Sequence, residues 1–587
     1  MNSASFSIEE NKIIIRVKDR VVESVDELFQ TELLQEVVRR FLERVRRKQL
    51  PLAGVFGEAA ITDESIDRFI EALRYLAKLE ADMVPNVVKG SEVFFADKAL
   101  LSELIEQLYN FWRSFDRFVI CDSEDEALDQ RPYRTFNSTV ERLMHLVRQA
   151  YRDIEENLTQ KHPNVYRQVH AGAEIATIAK PVPRDTFRNE YTQLNDVFVI
   201  RQVLLYPPLI FDPPMNKRKG QFVRVYENPL KRVQINKDEW LCFPAKVGEL
   251  LILVYFHERF YEIGFGLSNL FELAEDEDLL RKPDAIYCYG VDGAALAGLA
   301  EFPTVYYEDE ANDLLVGAVP NGDEFAYFGY LKKMILTLHN IKIMKRGNLP
   351  FHGALVKILL RNDSEATVLM IGDSGAGKSE SLEALRLIGE EEIKDLTIIA
   401  DDMGSIELAA DGAVRGFGTE TGAFLRLDDL QPGYAFGQLD RAIIMNPNRV
   451  NARIVLPVTT FATITKGCAI DFVLYVNNYE DIDEDHPILE KFDSAGDALR
   501  VFREGAVMSK GTTTRTGLVH SYFANIFGPP QNRHLHDEIA ERFFGEFFKR
   551  GLCVGQIRTR LGVPGYESEG PRAAATALLE MISRKGK

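Results

Sequence analysis

Three observations in the sequence predict an α/β protein built from more than one domain. The run Gly372-Asp373-Ser374-Gly375-Ala376-Gly377-Lys378-Ser379 follows an apolar stretch and opens a helical pattern. From about residue 180, short apolar runs punctuated by proline alternate with helical segments, and before residue 160 apolar residues recur at three-to-four spacing. These patterns predict a mixed-sheet domain carrying a phosphate loop (P-loop) over residues 346–587, a second α/β domain over 161–345 and a helical N-terminal region over 1–160. A chain of 587 residues is long enough for each part to bury a core of its own.

In chain order, helices are predicted over residues 25–50, 63–83, 97–119 and 138–158. The last opens with Ser138-Thr139-Val140-Glu141, a capping-box signature. The aromatic cluster of Tyr109, Phe111, Trp112, Phe115 and Phe118 is read as core, because rings at this density stabilise most when buried. Arg39-Arg40 and Arg46-Arg47-Lys48 have acidic neighbours and are read as a solvated helix face. In the second region the runs 197–200, 203–205 and 250–255 are predicted strands. No fixed-period repeat is present, which argues against solenoids and propellers.

The third region reads as a strand over 354–360, a turn at 361–364, a strand over 367–371, the glycine loop, a helix from Lys378, and a strand over 396–400 that ends in Asp401-Asp402. Acids at the carboxyl end of a strand lie where open α/β sheets place ligands.

Composition narrows the function. Seventy basic against 89 acidic residues give a net charge of −19, which repels a polyanion, so a nucleic-acid partner is not expected. No apolar stretch is long enough for a membrane span, and the first residues lack the basic and apolar blocks of a secretory signal, so the expected location is the cytoplasm. Cys121, Cys242, Cys288, Cys468 and Cys553 are odd in number and far apart, and read as thiols in a reducing compartment.

The glycine loop matches Gly-x-x-x-x-Gly-Lys-Ser/Thr between a strand and a helix, the context that gives the pattern its meaning. Glycines let successive N–H groups of Gly372, Asp373, Ser374, Gly375, Ala376 and Gly377 turn towards a phosphate, and the helix N-terminus adds partial positive charge. Lys378 is expected to neutralise phosphate oxygens and Ser379 to ligate a metal ion. Asp401 and Asp402 fall where a second carboxylate holds that metal; as strand neighbours they face opposite ways and are expected to do different work.

Over about residues 325–527 the chain resembles the phosphoenolpyruvate carboxykinase superfamily, which includes the HPr kinase/phosphorylases. Phe351-His352-Gly353-Ala354-Leu355-Val356, the glycine loop through Glu380, and Ala400-Asp401-Asp402 are similar to the HPr kinase core. Ala326-Tyr327-Phe328-Gly329-Tyr330-Leu331-Lys332-Lys333-Met334, with His352 nineteen positions after Lys333, is similar to the carboxykinase run. The resemblance implies a phosphoenolpyruvate-carboxykinase-type nucleotide-binding fold, ATP or GTP as donor, and Mg²⁺ and Mn²⁺ as cofactors. It assigns Lys333, His352 and Asp402 to a Mn²⁺ site, Lys378 and Asp401 to catalysis, and Tyr327 to the substrate side. Asn451-Ala452-Arg453-Ile454-Val455-Leu456-Pro457 looks like the segment whose arginine spans the transferred phosphoryl group, which gives that role to Arg453. Lys510-Gly511-Thr512-Thr513-Thr514-Arg515 resembles a nucleotide-contacting stretch and makes Arg515 a nucleotide ligand.

The chemistry of these residue types agrees. A lysine ligates a metal only when neutral, so Lys333 is expected where burial and the metal cation depress its pKa. Neutral His352 and anionic Asp402 complete a mixed N/O site, and the guanidinium of Arg453 can fork across a phosphoryl group.

The chain also departs from the family. No Arg-Ser-Pro-Lys-Asp-Lys run is present, and Tyr330 replaces an acid before the paired lysines. Pro183-Arg184-Asp185-Thr186-Phe187-Arg188 is similar to a stretch of the GTP-type enzymes, which makes Arg188 a candidate carboxylate clamp. Three readings follow: a carboxykinase-like enzyme acting on a small anionic metabolite, with oxaloacetate the first candidate; a kinase acting on another small molecule or a protein; and a nucleotide sensor. A sensor needs neither a second cation site nor an arginine across the phosphoryl group, so the retained residues favour an enzyme.

Overall fold

The computed structural model describes the chain except residues 1–3, 18–21, 58–60, 123–130, 163–164, 166, 182–186, 374, 390–391, 428–429, 431–436, 511–515 and 586–587. It is an α/β protein with mixed sheets that divides into two compact units, one of residues 1–181 with 200–209 and one of residues 182–199 with 210–587.

The first unit carries the predicted helices, but not helices alone. Val25–Phe29, Glu32–Arg47, Asp63–Leu76, Lys98–Arg113 and Arg131–Thr159 are helical, with Ser24, Thr31, Thr62 and Asp97 capping the first four. Lys12–Val17 pairs antiparallel with Ala4–Glu9 and parallel with Asp116–Asp122, which in turn pairs parallel with Ile175–Pro181. The helix predicted over 97–119 therefore ends at Arg113, and Phe118-Val119-Ile120 form a buried strand, as a β-branched run favours. The stop has a physical cause. Buried Arg117 turns its guanidinium back onto the carbonyls of Trp112, Arg113 and Phe115, capping the helix, and also bonds Gly172 O and Glu174. The last helix runs through Ser138, so the predicted capping box there is not a helix start.

Of the rings read as core, Phe115 and Phe118 are buried and Phe111 and Trp112 lie against the cluster that holds Phe115, whereas Tyr109 is only half-buried and stacks on Tyr151. Phe56, Phe69 and Phe94 meet edge-on or tilted beside them.

The second unit contains two principal sheets with a helix between them. In one, Trp240–Val247 and Leu250–His257 form a hairpin, Leu250–His257, Ala285–Val291 and Leu314–Pro320 run parallel, and Val305–Asp309 closes antiparallel. In the other, Leu349–Leu360 pairs antiparallel with Glu365–Ile371, Ile393–Ala400 and Met403–Leu408, while Glu365–Ile371, Phe472–Asn477 and Cys553–Arg558 run parallel. The predicted strand, loop, helix and strand are present, the helix being Lys378–Ile388.

The helix Phe328–Lys345 is buried nearly all round and packs on Ala285–Val291 and Leu314–Pro320 of one sheet and Leu349–Leu360 of the other. A smaller sheet pairs Arg453–Pro457 with Gly422–Arg426 and Ile443–Met445. Among the described residues no helix is long and apolar enough to cross a membrane.

Removing the buried guanidinium of Arg117 leaves several carbonyls without their donor. Arg117→Ala should destabilise the first unit by about 3 kcal/mol, read as a lower denaturation midpoint by circular dichroism; an unchanged midpoint contradicts this account of the helix stop.

Candidate active site

Strand register brings three distant segments to one sheet end. Gly353 pairs with Ile371, and Leu355 with Ala400, so His352, Gly372 and Asp402 come out side by side. Their backbones are tied, with Gly353 N donating to Asp402 O at 2.9 Å and Gly372 N to His352 O at 3.3 Å. A side chain at Gly353 would place its Cβ 2.2 Å from Met370 O, so only glycine allows this approach.

The phosphate loop leaves this end. Gly375 and Gly377 adopt φ of +78° and +101°, and Gly377 caps the helix Lys378–Ile388 in the left-handed region. Neighbouring strands fix the loop from below: Thr559 Oγ1 donates to Ala376 O at 2.7 Å and Asn478 Nδ2 to Gly375 O at 2.9 Å. Buried Lys378 folds back over the loop, its Nζ donating to the carbonyls of Gly372 and Asp373. Exposed Ser379 follows Lys378 in the first turn of the helix. Ser374 and Arg515 lie outside the described residues.

Asp402 is the hub. Its Oδ2 lies 2.7 Å from Lys332 Nζ and its Oδ1 2.9 Å from His352 Nε2. Lys332, only 2% exposed, also reaches Glu420 Oε1 at 3.0 Å. Burial works against the charge on each of these groups, and the pairing decides which keep it. Asp402 is held well below the carboxylate range by Lys332 and His352, and Lys332 above the lysine range by Asp402 and Glu420. For Glu420, burial and the Asp402 charge win over Lys332, and its carboxyl is pushed up. Asp401 is raised by burial and by Asp402, with the Lys332, Lys378 and Arg386 charges opposing.

The two contacts of His352 constrain its protons. Its Nδ1 faces the carbonyl oxygen of Ala524, which can only accept, so Nδ1 carries a proton. In the neutral ring, Nε2 then sets a lone pair 2.9 Å from a carboxylate oxygen. Such a contact is relieved by a second proton or by a cation that both atoms ligate.

The predicted ligand Lys333 does not touch Asp402 as Lys332 does. Its Nζ lies over the Phe527 ring, 4.7 Å from the centroid. Burial, then Arg218 and Arg453, push the ammonium down to about 7, against Asp402 and Asp373. A lysine so depressed is a competent neutral donor. Among the described residues no three His, Cys, Asp or Glu side chains cluster to hold a metal ion. A first shell at Asp402 and His352 must therefore draw on the lysine, Ser379 or ligand oxygens. One nitrogen and one carboxylate oxygen at this spacing fit Mn²⁺ or Mg²⁺.

Arg453 stacks on Phe424 at 5.2 Å and donates from Nη2 to Asn451 Oδ1 at 2.7 Å. Tyr327 packs on the same ring, at 6.0 Å, and Lys332 lies 5.9 Å above it. The phenyl face thus gathers the predicted tyrosine and arginine beside the Asp402 cluster.

Two groups were not predicted. Glu420 is an isolated acid without a motif. Arg218 lies on a loop pinned by Lys219 N to Tyr330 Oη at 2.8 Å and by Asn446 Nδ2 to Pro213 O at 2.7 Å. The only sequence signal for it is the basic run Lys217-Arg218-Lys219. The Nε atoms of Arg218 and Arg453 are buried without a hydrogen-bond partner among the described residues. Arg188, by contrast, is exposed in a hollow lined by Leu279, Arg281, Lys282 and Asn312, apart from the phosphate loop.

The lowered value at Lys333 has a signed consequence. The folded chain carries a charge penalty there that is full below about pH 7 and fades towards the ordinary lysine value of 10.5. Lys333→Met should therefore gain stability relative to the parent at pH 6, and that gain should shrink by pH 10, measured by denaturant titration; a gain independent of pH contradicts the assignment. Compared with protein-family models and with curated proteins, the chain returns no match, and the meaning of this site rests on its geometry and chemistry.

Proposed function

We propose that the protein is a nucleotide- and divalent-metal-dependent phosphoryl-transfer enzyme acting on a small anionic metabolite, with a P-loop domain of phosphoenolpyruvate carboxykinase type. The observation that carries this reading is the meeting, at one sheet end, of a glycine loop with its lysine, the Asp402–His352 pair, and the three basic side chains Lys333, Arg218 and Arg453.

In this reading the loop N–H groups and Lys378 hold the β- and γ-phosphates of ATP or GTP. His352 Nε2, Asp402 Oδ1, Lys333 Nζ and Ser379 hold Mn²⁺ or Mg²⁺, which supplies Lewis-acid charge to the phosphoryl oxygens. Arg453 forks across the phosphoryl group, and Phe424 fixes its plane. Arg218 takes the acceptor's anionic end, the part first assigned to Arg188. Lys332 stays charged and anchors Asp402 without being a ligand. Tyr327 lies on the acceptor side.

The half-buried, pinned setting of Arg218 and Arg453 favours a small acceptor over a protein. Oxaloacetate, interconverted with phosphoenolpyruvate, is the first candidate. Nucleic acid and membrane play no part in this reading, and the location is cytoplasmic.

The test is an assay of purified protein with ATP, GTP or pyrophosphate against oxaloacetate and a panel of small acids, with Mn²⁺ present. Transfer to a small acid is expected. Lys378→Ala should lower turnover by about a hundredfold or more with folding intact. Arg218→Met should raise the acceptor KM about tenfold or more while leaving the nucleotide KM alone. Parental turnover in Lys378→Ala contradicts the phosphate-loop assignment, and transfer to a protein alone replaces this reading with a protein kinase.

A further inference from the structure

The segment that meets His352 from the carboxy-terminal side has an unusual backbone. Phe523, Ala524 and Asn525, none of them glycine, adopt φ of +44°, +57° and +62° in succession. Left-handed residues normally occur singly, and three in a row persist only where the surroundings dictate them.

The surroundings here do so at both ends. On the entering side, Ser521 N donates to Gly505 O, and a Cβ on Gly505 would lie 1.8 Å from Ser521 O, so the helix end at Gly505 and the turn fit only through glycine. Tyr522 Oη reaches His536 Nδ1 at 2.8 Å and Asp537 Oδ1 at 2.9 Å. On the leaving side, Asn340 Nδ2, fully buried, donates to Phe527 O at 2.7 Å, and Gly528 passes Thr337 O too closely for a side chain. Phe523, Ala524, Ile526 and Phe527 are buried, and Asn525 is exposed.

This conformation aims the turn at the site. The Ala524 carbonyl accepts from His352 Nδ1, the Phe527 ring lies under Lys333 Nζ, and Asn525 Nδ2 comes 3.5 Å from Asp373 Oδ1 of the phosphate loop. We infer that residues 523–525 are a positioning turn: their left-handed backbone presents the Ala524 carbonyl to His352, fixes the Nδ1–H tautomer and leaves Nε2 free to ligate a cation beside Asp402. An outer partner that fixes a ligating imidazole commonly controls its metal affinity. The inference rests on the metal-site reading above only for its functional consequence; the tautomer itself is independent of it.

Asn525 allows a clean test, because its side chain is exposed and only its backbone requirement is special. Asn525→Gly keeps the left-handed conformation accessible, whereas Asn525→Val disfavours it, and both lose the contact to Asp373. Mn²⁺ binding, followed by the electron paramagnetic resonance of the free ion, should be within about threefold of the parent in the glycine variant and at least about tenfold weaker in the valine variant. Ring ¹⁵N shifts of histidine-labelled protein, assigned by loss of the signal in His352→Gln, should report the Nδ1–H tautomer in parent and glycine variant and a mixture in the valine variant. Equal Mn²⁺ affinity in folded glycine and valine variants, or one tautomer ratio in both, overturns the inference. If the valine variant does not fold, the parent alone decides: a proton on Nδ1, with or without a second on Nε2, supports the turn's role, and an unprotonated Nδ1 overturns it. Absence of Mn²⁺ binding in the parent together with the Nδ1–H tautomer sinks the metal reading and leaves the turn.

Discussion

The carboxylate of Asp402 is the group on which the rest of the site depends. One of its oxygens is occupied by a lysine 2% exposed to solvent, the other faces an imidazole, and its own carbonyl accepts from Gly353 in the neighbouring strand. A buried ammonium cannot stand without a counter-charge, and a buried carboxylate cannot ionise without a cation. Lys332 and Asp402 therefore fix each other's charge, and Glu420, the third member, is the carboxyl that burial and the Asp402 charge push up. The result is a permanent anion at the sheet end, held by the fold itself, beside the loop from which Lys378 reaches.

That arrangement separates two lysines adjacent in sequence. Neighbouring helix positions point about 100° apart, so Lys332 enters the carboxylate cluster while Lys333 faces Arg218, Arg453 and the Phe527 ring. Charge follows from placement: the first is held as a cation, the second is pushed towards the neutral amine. Arg218 and Arg453 are held by a backbone carbonyl, an amide oxygen and aromatic faces.

The strand, glycine loop, helix and closing acids were legible in the sequence because each carries a local signal: apolar runs of strand length, a spacing pattern, and Asp-Asp after a strand. The nineteen-residue interval between Lys333 and His352 located the cluster, but spacing could not say which lysine touches Asp402, since that depends on helix rotation. The strands of the first unit were hidden because Phe118-Val119-Ile120 continues the apolar period of the preceding helix, and the side chain that ends the helix, Arg117, works through tertiary contacts. Arg218 went unnamed because a loop residue has no periodicity to place it, and Arg188, a candidate on a local likeness alone, lies in a surface hollow. The turn at 523–525 had no glycine to announce it. Its conformation is imposed by Gly505 and Asn340, distant in sequence, and by Gly528 just beyond it.

The most direct measurement is anomalous diffraction from crystals soaked with Mn²⁺ and nucleotide. The account predicts one manganese peak within about 2.0–2.4 Å of His352 Nε2 and Asp402 Oδ1, with Lys333 Nζ drawn into the same shell and phosphate oxygens completing it. A peak elsewhere in nucleotide-loaded crystals, or one at which His352 and Asp402 stay bonded to each other and ligate nothing, would contradict it.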